Sequence, residues 1–112
     1  MDARLPAAVE ATGLLRRVEA EGGFAAIVRK GDADRGVLLL LIAHRGNHFA
    51  CLERALSVDG EYRWCEVGPD ASAAGQVAEW IARRVKFDED IWLIELDVAA
   101  PERFVAEMTS RA

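Results

Sequence analysis

Two cysteines among 112 residues are too few to staple a small fold, which excludes a disulfide framework. No stretch approaches the roughly 18 consecutive apolar residues of a membrane span. The longest apolar run, Val37 to Ala43, is seven residues. Basic residues are outnumbered, 14 against 19, leaving a formal charge of −5. A chain of that sign does not attract phosphate backbones or acidic lipids, so nucleic-acid and membrane partners are disfavoured. The opening Met1-Asp2-Ala3-Arg4-Leu5-Pro6 lacks the charged-then-apolar order of a signal peptide, which makes the cytoplasm the expected compartment. Phosphate-loop and dinucleotide fingerprints are missing, and no serine or cysteine sits in a triad motif, so no cofactor is expected.

What the chain does have is 52% apolar and 29% charged residues. That balance excludes disorder and collagen-like repeats, and predicts one domain over residues 1–112 that closes a core unaided. Pro6 and Gly22-Gly23 bracket a first helix in which Ala11, Leu14, Leu15 and Val18 recur at helical spacing. Phe24 to Arg29 reads as a strand, followed by the loop Gly31-Asp32-Ala33-Asp34-Arg35-Gly36, expected to join a hairpin. Val37 to His44 is apolar on both faces and therefore a central strand. His48 to Ser57 and Glu61 to Val67 continue a meander, and Asp70 or Ser72 caps a second helix with Ala74, Val77, Ala78, Ile81 and Val85 on one stripe. Asp90 to Asp97 is the last strand, and Pro101 can open a short terminal helix. The expected class is α+β: a mainly antiparallel sheet of four to five strands with two main helices, in the order α-β-β-β-β-α-β with an optional C-terminal helix.

Asp59-Gly60 signals a two-residue hairpin turn. The register it implies pairs Arg54 with Cys65 and Cys51 with Gly68, and sends the two thiols to opposite faces. Arg45-Gly46-Asn47 suggests a three-residue loop with His44 and His48 side by side and Cys51 facing away, so no metal site is expected. Trp92 should be buried against the second helix near Val77 and Ile81.

One further pattern is carried by Arg16-Arg17-Val18, Gly22 through Asp32, Gly36-Val37, and the segment Phe87-Asp88-Glu89-Asp90-Ile91-Trp92-Leu93-Ile94-Glu95. It resembles the short bacterial domain-of-unknown-function family 1491 over nearly the whole chain. Glu89 stands where that family often has proline. The resemblance implies a small bacterial cytoplasmic protein without an established activity, and it supplies no catalytic residues.

Chemistry is sparse. Asp88, Glu89 and Asp90 are followed by Glu95 and Asp97, which share a strand face and have the spacing to chelate a divalent cation, while Asp32 and Asp34 lack the twelve-residue spacing and terminal glutamate of a calcium loop. The helix–strand order also matches restriction-endonuclease-like cores, but Asp59 and Glu61-x-Arg63 are compressed into one turn and lack the lysine. The expected function is therefore a non-enzymatic binding or adaptor module that contacts a protein partner. The alternative is a small metal-assisted hydrolase or nuclease using the acids near the last strand. Candidate partner- or ligand-binding residues are Arg29, Lys30 and Asp32 at the glycine-bounded loop, Asp88 and Asp90 at the acidic corner, and Trp64 among aromatics exceeding the needs of one thin core. Two helices cover only one face of such a sheet. An apolar face left bare would favour a homodimer unless Phe104, Val105 and Met108 of the tail cover it.

Overall fold

In the computed structural model, which describes residues 5–110, five strands form a single sheet in the order β1-β5-β2-β3-β4. The elements are α1 (Ala7–Ala20), β1 (Phe24–Arg29), β2 (Leu38–His44), β3 (Asn47–Leu56), β4 (Tyr62–Val67), α2 (Val77–Phe87), β5 (Trp92–Asp97) and α3 (Pro101–Thr109). A 3₁₀ segment, Ala71–Gln76, leads into α2. Asp70 caps that segment by accepting the Ser72 N–H. The class is α+β as expected, the order matches, and the terminal helix is formed.

β2 is the central strand, and its residues Leu38 to Ala43 are all buried. It pairs antiparallel with β3 and parallel with β5, while β1 pairs antiparallel with β5. β5 therefore lies between β1 and β2. This corrects the expected hairpin at Gly31–Gly36, where the chain instead crosses over to a non-adjacent strand. Hydrophobic patterning finds strands; it does not say that the last one inserts between the first two.

The two faces are covered unequally. Ala7, Ala11, Leu14 and Val18 of α1, with Phe104 and Val105 of α3, pack on Leu38, Leu40, Ile42, Ala50, Leu52, Trp92, Ile94 and Leu96. On the other face Leu39, Leu41, Cys51, Ile91 and Leu93 meet Trp80, Ile81 and Val85 of α2. Trp92 is thus buried as expected but on the face away from α2, which corrects its predicted neighbours Val77 and Ile81. The tail covers the same face as α1, which leaves the second to α2 and the 3₁₀ segment that leads into it, and none of the residues of α2 is fully buried.

The β3–β4 register differs from the sequence reading by one residue throughout, and the β2–β3 register differs by one at its turn, before a bulge restores it. The β3–β4 loop is Val58-Asp59-Gly60, with Ser57 N–H bonded to the Glu61 carbonyl at 2.8 Å and Gly60 at φ 85°. A three-residue loop ending in a left-handed glycine replaces the expected two-residue turn. Cys51 now faces Val67, and Cys65 faces Glu53. The thiols consequently lie on the same face, diagonal to each other rather than opposed. Diagonal positions stand about 7–8 Å apart, too far for a disulfide, and both cysteines are free, Cys51 buried and Cys65 exposed.

Asp59 organises this loop. It accepts from the Ser57 hydroxyl, the Arg63 guanidinium and the Glu61 N–H. These bonds, led by that from Ser57, hold its carboxyl at about 2, against an ordinary 3.8. Because the folded value is the lower one, the contribution to the hairpin is complete above the ordinary value and lost as pH falls through about 2. A carboxyl-carbon NMR titration should place the Asp59 midpoint near 2; a midpoint at 3.8 or above would show the loop bonds are not formed in solution.

Candidate functional site

Four of the six candidate binding residues gather at one end of the sheet, where hydrogen bonds tie the two stretches of chain that carry them together. Arg29 donates from Nη2 to the Glu89 carbonyl at 2.8 Å. Asp32 accepts the N–H groups of Asp34 and Arg35 on Oδ1, at 2.9 and 2.8 Å, and these bonds hold its carboxyl below the usual range. Its own N–H donates to the Asp90 carbonyl at 3.0 Å, and its carbonyl accepts the Trp92 indole N–H at 2.7 Å. Asp88 accepts the Asp90 N–H. Gly31 and Gly36 permit this seam: a Cβ on either would stand 2.0 or 2.4 Å from the Asp90 carbonyl oxygen. Lys30 is exposed beside the seam. Trp64 lies elsewhere, half-buried on β4, with the Arg54 guanidinium 5.6 Å from its ring centre.

The acids of the last strand are separated by their roles. Glu95 is exposed. Asp97 accepts the N–H groups of Arg45 and Gly46, at 2.9 and 2.8 Å, and so ties the end of β5 to the β2–β3 turn. Among the described residues no three of His, Cys, Asp and Glu converge as a metal site.

That turn has two residues, Arg45 and Gly46, with φ of 51° and 81°, and His44 pairs with Asn47. Positive φ at both positions makes it the mirror-image turn that asparagine, aspartate and glycine serve best. The histidines are therefore not side by side as expected. His44 donates from Nδ1 to the Val98 carbonyl, and His48 donates from Nε2 to that of Pro69, both at 2.8 Å. Phe49 is an extra residue in β3, since Ala43 pairs with His48 and Ile42 with Ala50. This bulge reverses the facing of the strand's start and brings His48 Nε2 to 3.9 Å from Cys51 Sγ, contrary to the expectation that they face apart. Burial pushes the Cys51 thiol up to about 11, so the pair lacks the thiolate that nucleophilic chemistry requires.

The sequence reading missed the surface most open to a partner. β1 and β4 are the two edges of the sheet. β4 carries Arg63, Glu66 and the exposed Cys65. β1 reads Phe-Ala-Ala-Ile-Val-Arg, with Phe24 61% and Val28 57% exposed. Val28 is a bulge, leaving Phe24–Ile27 in regular register with β5. An edge strand with few charges and exposed apolar side chains is a template for a further strand. The missing alternation at Phe24–Val28 was visible in the sequence, but edge position depends on the long-range strand order.

No helix among the described residues is long and apolar enough to cross a membrane. The model of a family described as a protein of unknown function, DUF1491, matches residues 5–106. No curated protein matches the chain. A crystal structure of a DUF1491 family protein from Caulobacter crescentus CB15 is similar, at 28% identity and a TM-score of 0.76, covering 84% of this chain and 88% of that one. An NMR structure of a DUF1491 family protein from the same organism gives 29% identity and 0.73, covering 85% and 86%. The solution structure of protein Atu0922 from A. tumefaciens gives 26% and 0.72, with the same shares covered.

Proposed function

The chain belongs to the DUF1491 family, and from that premise we propose that it is a non-enzymatic protein-binding module of the cytoplasm, whose partner adds a strand to the open edge of β1. The observation that carries this reading is the edge itself: Phe24 and Val28 are more than half exposed on a strand whose side away from β5 pairs with no other strand among the described residues. Strand addition takes affinity from main-chain hydrogen bonds and specificity from alternate side chains. The distribution of polar groups supports it too. The side chains of Arg29, Asp32 and Asp88 at the seam are engaged in loop closure, and among the described residues no charged or polar residue is fully buried. A second copy of the chain, paired through the same edge, is the symmetric form of this contact.

The test compares Phe24→Glu/Val28→Lys with wild type as bait in the host lysate, with sedimentation of each purified protein alongside. The expected result is a protein retained by wild type and lost by the variant at an unchanged melting temperature. If the partner is a second copy, wild type instead sediments as a dimer and the variant as a monomer. Identical captured proteins and identical sedimentation for both would refute the edge as the binding surface.

A further inference from the structure

We propose that the strand added at the β1 edge carries a lysine or arginine with an apolar residue two positions away on either side, and that Glu95 of β5 receives its charge. The inference rests on the edge reading above and adds the chemistry that selects the partner. Strand pairing fixes which residues meet it. Ala25 and Ile27 pair with Leu96 and Ile94 and pack into the cluster under α1 and α3. Alternation turns Phe24 and Ala26 to the other face, with Val28 following at the bulge. Ala26 is therefore a small residue between two exposed apolar ones, and Glu95 stands directly across from it. The cluster under α2 takes in Leu41 and Leu93 but not Glu95, which lies between Leu41 and Ala26 and is exposed.

Charge decides what the added strand brings. The Glu95 carboxylate has no hydrogen bond or ion pair among the described residues. The charged groups on either side of it are accounted for. At the Phe24 end, Asp97 and Arg45, one of each sign, line the same cavity, and Asp97 accepts the Arg45 and Gly46 N–H groups. At the Val28 end, Arg29 pairs with Leu93, and its guanidinium donates to the Glu89 carbonyl. The middle of the row thus presents one unanswered negative charge behind a gap between two apolar side chains. A cation of the chain itself would pair with Glu95 from position 26, but alanine stands there. A residue opposite Ala26 on an added strand lies two strand spacings, about 10 Å, from Glu95. The long stem of lysine or arginine can lie along the Ala26 methyl and bring its charge across that distance. A second copy does not supply this cation: antiparallel pairing about Ala26 sets Phe24 of each copy against Val28 of the other and alanine against alanine. The surface therefore favours a segment of a different protein.

The probes are two synthetic peptides, acetyl-Thr-Val-Thr-Lys-Thr-Val-Thr-amide and its counterpart with glutamate at the centre. Each has the same side-chain order in both directions, so either strand orientation presents the central residue to Ala26. Titrations at constant ionic strength are followed by backbone amide shifts, with sedimentation of the protein alone alongside. The lysine peptide should give saturable shifts along β1 and bind about fivefold more tightly than the glutamate peptide, through attraction in one and repulsion in the other. Glu95→Gln should level the two, and Glu95→Lys should invert their order. Both variants should melt close to wild type, because the side chain is exposed. Binding to β1 that ignores the central residue, or a preference for lysine that survives Glu95→Gln, overturns this inference and leaves the edge reading standing. Absence of saturable shifts in β1 with either peptide overturns the inference as well. It overturns the edge reading too if the protein sediments as a monomer, whereas a dimer would assign the edge to a second copy.

Discussion

Replacing Trp92 with alanine should destabilise the protein by about 3–5 kcal/mol, the range for aromatic truncation in a core. The side chain is 4% exposed and packs in the larger core cluster with residues of α1 and α3. It also does what no aliphatic residue there can do. Its indole N–H reaches the Asp32 carbonyl at 2.7 Å, while the Asp32 N–H holds the Asp90 carbonyl at 3.0 Å. The crossover loop from β1 to β2 is thereby fastened to the start of β5, the strand inserted between them. Trp92→Phe separates the two contributions: it keeps most of the ring burial and loses the hydrogen bond, for about 1 kcal/mol. Urea unfolding followed by far-ultraviolet circular dichroism measures both. For a chain of this size the alanine variant should melt at least about 10 °C below wild type. A melting temperature within a degree or two of wild type would mean that Trp92 is not a core residue.

The fate of Trp92 also shows which parts of the fold were legible. Alternation along Ile91 to Leu96 assigned Trp92, Ile94 and Leu96 to one face correctly, because side chains on a strand alternate strictly. Which helix covers that face is decided by how the chain crosses over, and nothing local to Trp92 records it. The same limit hid the insertion of β5 between β1 and β2, and with it the edge position of Phe24 and Val28. Registers failed for a different reason. One extra residue at Phe49 reverses His48 relative to the rest of β3, and one more in the Val58–Gly60 loop reverses β4 against β3, so Cys51 changed its relation to both His48 and Cys65. Arg29 and Asp32 were singled out in one stretch and Asp88 and Asp90 in another, and that the two converge was not legible, because it follows from the insertion of β5. Their role was not legible either, because loop-closing carboxylates and ligand-binding ones have the same composition. Only the hydrogen bonds distinguish them.

Glu10 tests how much a half-buried ion pair contributes here. Helical spacing set it largely off the apolar stripe of α1, yet its side chain is only 12% exposed and pairs with Arg54 of β3, itself 21% exposed. The Arg54 guanidinium lies 5.9 Å from the Tyr62 ring centre and 5.6 Å from that of Trp64, so the pair joins α1 to the β3–β4 hairpin. Glu10 Oε1 and Arg54 Nε are buried without hydrogen-bond partners among the described residues, so the pair is incompletely satisfied. Removing one member of a buried pair costs about 3–5 kcal/mol, because the other charge stays desolvated and alone. With part of each side chain still in water, Glu10→Ala should cost about 2–3 kcal/mol. Replacing both members by apolar residues, Glu10→Leu with Arg54→Met, should recover most of that loss, since neither charge then remains to be solvated. Denaturant unfolding of Glu10→Leu, Arg54→Met and the double variant closes the cycle. A coupling of about 1 kcal/mol or more is expected. Additive losses would show that Arg54 is held by the Tyr62 and Trp64 rings and that Glu10 is dispensable to it.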